Sequence, residues 1–185
     1  MANENEIQEG LLVNPKYSSD WIKCTTQLIA NGDMDEETAA KYIAPQLTVL
    51  SDAIRYCKDK GLSQEFVECI SNPELNDTQM RVLFIAFQNG APIDVIKFYA
   101  NPEIPYDKIN YLLSAMTEEG VDLRDYVDFR GDQIYEIYAG VKDHVDYTAY
   151  AYKEIAADEM SLLRHAMAIG KSISYDTKTK EMILK

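Results

Sequence analysis

Residues 76–102 read NDTQMRVLFIAFQNGAPIDVIKFYANP and contain one complete structural phrase. Asn76 followed three residues later by Gln79 has the spacing of a capping box. Met80, Leu83 and Phe87 then fall at i, i+3 and i+7, on one helical stripe. Gly90 follows the stripe, where a left-handed residue closes a helix. Ile93-Asp94-Val95 with Phe98 reads as a second, shorter helix, with Asp94 as its cap and Phe98 turned inward. Asn101-Pro102 ends the phrase, because proline cannot continue a helix.

The phrase recurs in both directions. Prolines stand at Asn14-Pro15, Ala44-Pro45, Asn72-Pro73 and Asn101-Pro102, 28 to 30 residues apart. Gly32, Gly61, Gly90 and Gly120 keep the same period, and His144 and Gly170 follow at 24 and 26 residues. Matching stripes precede them: Leu50, Ala53, Cys57; Ile109, Leu112, Met116; Ile134, Ile137, Val141; and Met160, Leu163, Met167. Short-helix caps are expected at Asp35, Ser63, Asp122 and Asp146, with Tyr126 and Tyr150 packing inward in the later units.

One such hairpin cannot bury its own stripe, whereas stacked neighbours can. The expectation is an all-α protein, a compact α-solenoid of short helix-turn-helix repeats. It has five helix pairs and a sixth long helix, from about Ser18 to Gly170. Residues 1–13 are expected as a flexible acidic arm and 14–170 as the helical-repeat domain. Residues 171–185 form a tail in which Ile173 and Tyr175, then Met182 and Leu184, alternate with polar residues about a turn at 176–180. That is the pattern of a small β-hairpin.

Composition narrows the function. The 185 residues carry a formal net charge of −13, against a surface that tracks nucleic-acid phosphates, so no direct DNA binding is expected. No apolar run reaches the roughly 18 residues of a membrane span. The N-terminus MANENEIQEG is unlike a signal peptide, and a reduced, cytoplasmic protein is expected. Cys24, Cys57 and Cys69 lack zinc-type spacing and read as small buried hydrophobes. His144 and His165 have no adjacent nucleophile or ligand set. Phosphate-binding glycine loops, HExxH and EF-hand spacing are all missing. The expectation is no enzyme, no catalytic residues, no metal and no cofactor.

The charge is unevenly spread. Residues 118–159 hold 12 acidic and 4 basic side chains, whereas 160–185 hold 2 and 5. Ten of the 13 tyrosines lie from Tyr99 onward, and Tyr135, Tyr138, Tyr147, Tyr150 and Tyr152 crowd one region. Solvated helix faces and caps account for many of these acids, and Tyr can replace Phe in a core. The functional reading is a negative, tyrosine-bearing face that meets a basic protein surface. Its candidate contacts are Glu118, Glu119, Asp125, Asp128, Asp132, Tyr135, Glu136 and Asp143.

Gln79-Met80 with Gly90, the apolar-Asp-apolar step, Tyr99-Ala100 and Tyr150-Ala151, and the Asn-Pro punctuation resemble short helical repeats of uncharacterised Firmicutes phage and mobile-element proteins. The resemblance covers roughly 45–170. It departs where the last units shorten and Asn-Pro is lost after Asn101-Pro102. Small acidic proteins of that setting include anti-CRISPR inhibitors. The resemblance therefore implies a partner that is a nucleic-acid-binding effector, inhibited by covering its basic surface. The alternative is a generic intracellular scaffold that grips a peptide or helix in its groove.

Overall fold

In a computed structural model of the chain, the residues expected to close helices have left-handed backbones. Gly32, Gly61, Gly90, Gly120 and Gly170 all have φ between 63° and 88°, and His144, standing in for glycine, has φ 53°. The structure describes residues 4–12, 17–176, 179 and 181–184, so Asn14-Pro15 and most of the expected turn at 176–180 lie outside the described residues. The protein is all-α apart from a two-stranded hairpin. Two compact units divide the single helical domain expected over 14–170. One comprises Met1–Gln88 with Pro92–Pro102, and the other Asn89–Ala91 with Glu103–Lys185.

The first unit contains α1 (Glu4–Leu12), α2 (Ser19–Ala30), α3 (Glu36–Ala39), α4 (Ala44–Lys60), α5 (Glu65–Ile70), α6 (Asp77–Gln88) and α7 (Ile93–Tyr99). The flexible arm expected at 1–13 is instead helical over α1, which packs on α2 and buries Leu11. The reason is apolar: Leu11 finds cover on α2 despite the acidic residues beside it. Long helices α2, α4 and α6 pack in succession, and α5 packs on α7. Phe66 stacks on Phe87 at 4.2 Å, with Tyr56 edge-on to Phe84 at 5.7 Å. Two expectations shift, the cap by two residues and the buried aromatic by one. Pro92, not Asp94, caps α7, and Tyr99 is buried while Phe98 is 42 % exposed.

The second unit contains α8 (Tyr106–Glu119), a 3-10 turn at Arg124–Tyr126, α9 (Gly131–Lys142), a 3-10 turn at Tyr147–Ala149, and α10 (Ala157–Ala168). Strands β1 (Ile173–Asp176) and β2 (Glu181–Leu184) follow, antiparallel with Ile173 opposite Leu184. Asp146 does cap, accepting from the Thr148 N–H, but it caps a 3-10 turn rather than an α-helix; Asp122 accepts from the Arg124 N–H while Leu123 takes the cap position of the other 3-10 turn. Here the connector between successive long helices carries a tight 3-10 turn in place of a further α-helix. Tyr150 fills the space behind it. Its hydroxyl donates to the Glu136 carbonyl at 3.1 Å, and burial raises its pKa. Gly140 permits this approach, since a Cβ there would lie 2.0 Å from the Tyr150 hydroxyl.

A recurring side-chain tie fixes the helix starts. Three residues into α4, α6 and α9 stand Gln46, Gln79 and Gln133, all buried. Each accepts a hydrogen bond from the backbone N–H that precedes its own helix, at Ile43, Asn76 and Arg130 respectively. Each amide also donates forward along the chain: Gln46 to the carbonyls of Pro73 and Leu75, Gln79 to that of Pro102, and Gln133 to those of Lys153 and Ile155. Trp21 in α2 donates its indole N–H to Tyr42, and Lys108 in α8 reaches Val127 at 3.4 Å. Buried backbone groups must find partners, and one amide here serves two or three of them. Only Asn76 and Gln79 of this set are readable as a capping box in sequence.

Cys57 is fully buried as expected, whereas Cys24 and Cys69 are half-buried. The reason is hydrogen bonding at the surface side of their helices. The Cys69 thiol donates to the Glu65 carbonyl, and the Cys24 sulfur lies 3.6 Å from the Thr48 hydroxyl.

Candidate functional site

Helices α8, α9 and α10 present equivalent faces. Asp107, Asp132 and Asp158 each occupy the second residue of their helix. One turn on come Tyr111 in α8, Tyr135 and Glu136 in α9, and Ser161 and Leu162 in α10, with His165 a further turn along. Residues three and four apart share a helix face, so these side chains converge. They line an open groove of about 930 Å³ together with Gly131 and Ala157.

The groove floor is apolar and unusually exposed. Leu162 is 73 % exposed and Tyr135 45 %. Tyr111 packs edge-on against Tyr135 at 5.3 Å and also meets Tyr138 at 5.7 Å, which fixes the aromatic side of the floor. Its rim is acidic. Asp132 pairs with Arg130 at 3.2 Å, both well exposed, while among the described residues no cation pairs with Asp107 or Asp158. The His165 ring nitrogen Nδ1 lies 2.6 Å from the Ser161 carbonyl of the preceding turn.

The expected contact residues separate into three groups. Asp132, Tyr135 and Glu136 line the groove. Glu136, however, is only 8 % exposed and holds Arg164 at 3.1 Å, so it is a buried ion-pair member rather than a projecting contact. Glu118 and Glu119 lie at the C-terminal end of α8 and share Lys142, at 2.9 and 3.1 Å. The Tyr138 hydroxyl also donates to Glu118. The ammonium of Lys142 holds the Glu118 carboxyl below its ordinary pKa, and the two glutamates hold Lys142 above its own. Asp143, at the end of α9, also pairs with Arg164. Burial of Arg164 disfavours its charge, but the hydrogen bonds it donates to Asp143 and Glu136 more than offset that. Asp125 and Asp128 sit exposed in the α8–α9 connector, and Asp128 lies 3.5 Å from Lys153.

Asp107, Tyr111 and Leu162 belong to the groove yet escape a reading based on charge density, and Asp158 falls within the acidic stretch 118–159 without being singled out as a contact. Their signal is positional. Asp107, Asp132 and Asp158 recur at intervals of 25 and 26 residues, and aligning the units on helix starts brings them into register. Among the described residues, no group of three or more His, Cys, Asp and Glu could hold a metal ion, and no helix is long and apolar enough to cross a membrane. The arrangement offers recognition: negative charge around an exposed apolar strip. Compared with known proteins, the chain matches no family model, no curated protein and no solved structure.

Proposed function

We propose that this chain is a non-enzymatic, acidic helical-repeat protein of the cytoplasm that binds a protein partner through the face of α8, α9 and α10. The partner presents a basic surface. Following the phage-protein resemblance, that surface is the nucleic-acid-binding surface of a host-defence nuclease, and covering it inhibits the enzyme. The observation that carries this reading is the groove itself, where Asp107 and Asp158, with no cation partner among the described residues, share one lining with exposed Tyr135 and Leu162. Carboxylates on a fixed scaffold can occupy sites that phosphates otherwise fill, and their field speeds encounter with a cationic surface.

A competition assay tests this reading. A nuclease from the native host is loaded with labelled nucleic acid and titrated with the full chain. Displacement is expected for the wild type, with a loss of about tenfold or more in potency for D107K/D132K/D158K. Binding without displacement, or with the triple variant unaffected, contradicts it. The exposed Leu162 and Tyr135 favour a second reading, an intracellular scaffold that grips a peptide or helix by apolar contact. On that reading Tyr135→Ala and Leu162→Ser abolish binding while acid reversal leaves it intact.

A further inference from the structure

We infer that the α8–α10 groove takes an extended segment of a partner protein in which arginines recur about every third residue around one large apolar side chain. This inference rests on the basic-partner reading and names its chemistry.

Spacing supports it first. Adjacent packed helices lie roughly 8–10 Å apart, which sets the scale of the spacing between the starts of α8, α9 and α10. Three residues of extended chain span about 10 Å, which sets a cationic side chain opposite each helix start in turn. The apolar strip supports it second. Leu162, at 73 % exposure, shares the lining with Asp132, Asp158 and Tyr135. A purely cationic ligand would leave that surface wet, whereas one aliphatic side chain on the segment would cover it. Guanidinium fits this lining better than ammonium, since it bonds carboxylates in pairs and stacks on tyrosine rings such as Tyr135.

The test is a fluorescence titration of the full chain with a labelled nine-residue peptide at low salt. The probe has arginine at its second, fifth and eighth positions, leucine at its fourth, and glycine or serine elsewhere. Protein variants D132N/D158N and L162S are compared with D125N/D128N, whose changes lie in the connector; all five positions are exposed, and thermal melting monitored by circular dichroism checks that each variant folds. The groove variants are expected to weaken binding by about tenfold, and the connector variant by less than about twofold. Serine in place of the peptide's leucine should cost as much as L162S does, and lysine for arginine should cost several-fold. Equal weakening by connector and groove variants overturns the groove assignment and leaves the basic-partner reading standing. A glutamine-for-arginine peptide that binds as well as the parent overturns the arginine chemistry. No binding of the arginine peptide at low salt overturns both readings together.

Discussion

The two units join their long helices through different local structures. In the first, the gap between long helices carries a further helix: α3, α5 or α7. In the second, a 3-10 turn suffices between α8 and α9, and again between α9 and α10. Behind the 3-10 turn after α9, one large residue fills the space. Tyr150 does so against Gly140, whereas Phe66, Phe84 and Phe87 share the task in the first unit. A single large side chain set against a glycine leaves the tighter steric tolerance.

The largest expected effect probes that tolerance. Gly140→Ala places a methyl group 2.0 Å from the Tyr150 hydroxyl, and should destabilise the fold by about 2–4 kcal/mol in urea denaturation. Gly131→Ala, where only the Asp107 carboxylate tip at 3.0 Å must move, should cost less than about 1 kcal/mol. Similar losses at both sites would mean that the second unit is no tighter around Tyr150 than elsewhere.

Next come the side-chain ties, which both units use. Gln46→Ala and Gln133→Ala each strip partners from backbone groups at two helix starts, and should cost about 2 kcal/mol in the same assay. Lys108→Ala removes a longer contact from the equivalent place and should cost under about 1 kcal/mol. A smaller change follows from the left-handed turns. His144→Gly relieves a backbone that glycine adopts freely, and should stabilise by about 0.5 kcal/mol, while Gly120→Ala should destabilise by about 1 kcal/mol in thermal melts.

The smallest effect is acid sensitivity. Hydrogen bonds from Thr38 hold Asp35 below its ordinary pKa in the first unit, and those from Arg124 do the same for Asp122 in the second. A depressed carboxylate contributes stability that is complete above the unfolded value of 3.8 and disappears as pH falls through the lower folded value. Asp35→Asn and Asp122→Asn should each flatten the pH dependence of melting temperature below about pH 4. An unchanged slope would contradict these bonds.

Much of the fold was legible because turns are punctuated by residues with few alternatives. Gly32 to Gly120 and even His144 could be placed from spacing alone, since a left-handed closure is a local demand. Faces were less legible where the element is short. In α7, one residue of rotation exchanges Phe98 for Tyr99, and seven residues give too few periods to fix the phase. The ties were hidden because Gln46 and Gln133 act on carbonyls more than twenty residues away or close to it. The candidate site was half visible. Asp132 and Tyr135 lie in the groove, but charge counting cannot tell that Lys142 occupies Glu118 and Glu119, or that Arg164 occupies Glu136 and Asp143. Those pairings join residues 21 to 28 apart and emerge only once neighbouring helices are side by side.

The central claim is that the second unit meets a cationic protein surface. Its most direct test is the salt dependence of the full chain's affinity for its purified partner. The account predicts affinity that falls steeply as salt rises, with a visibly shallower slope for D107N/D132N/D158N. Affinity that stays level from low to high salt, in both proteins, would contradict it.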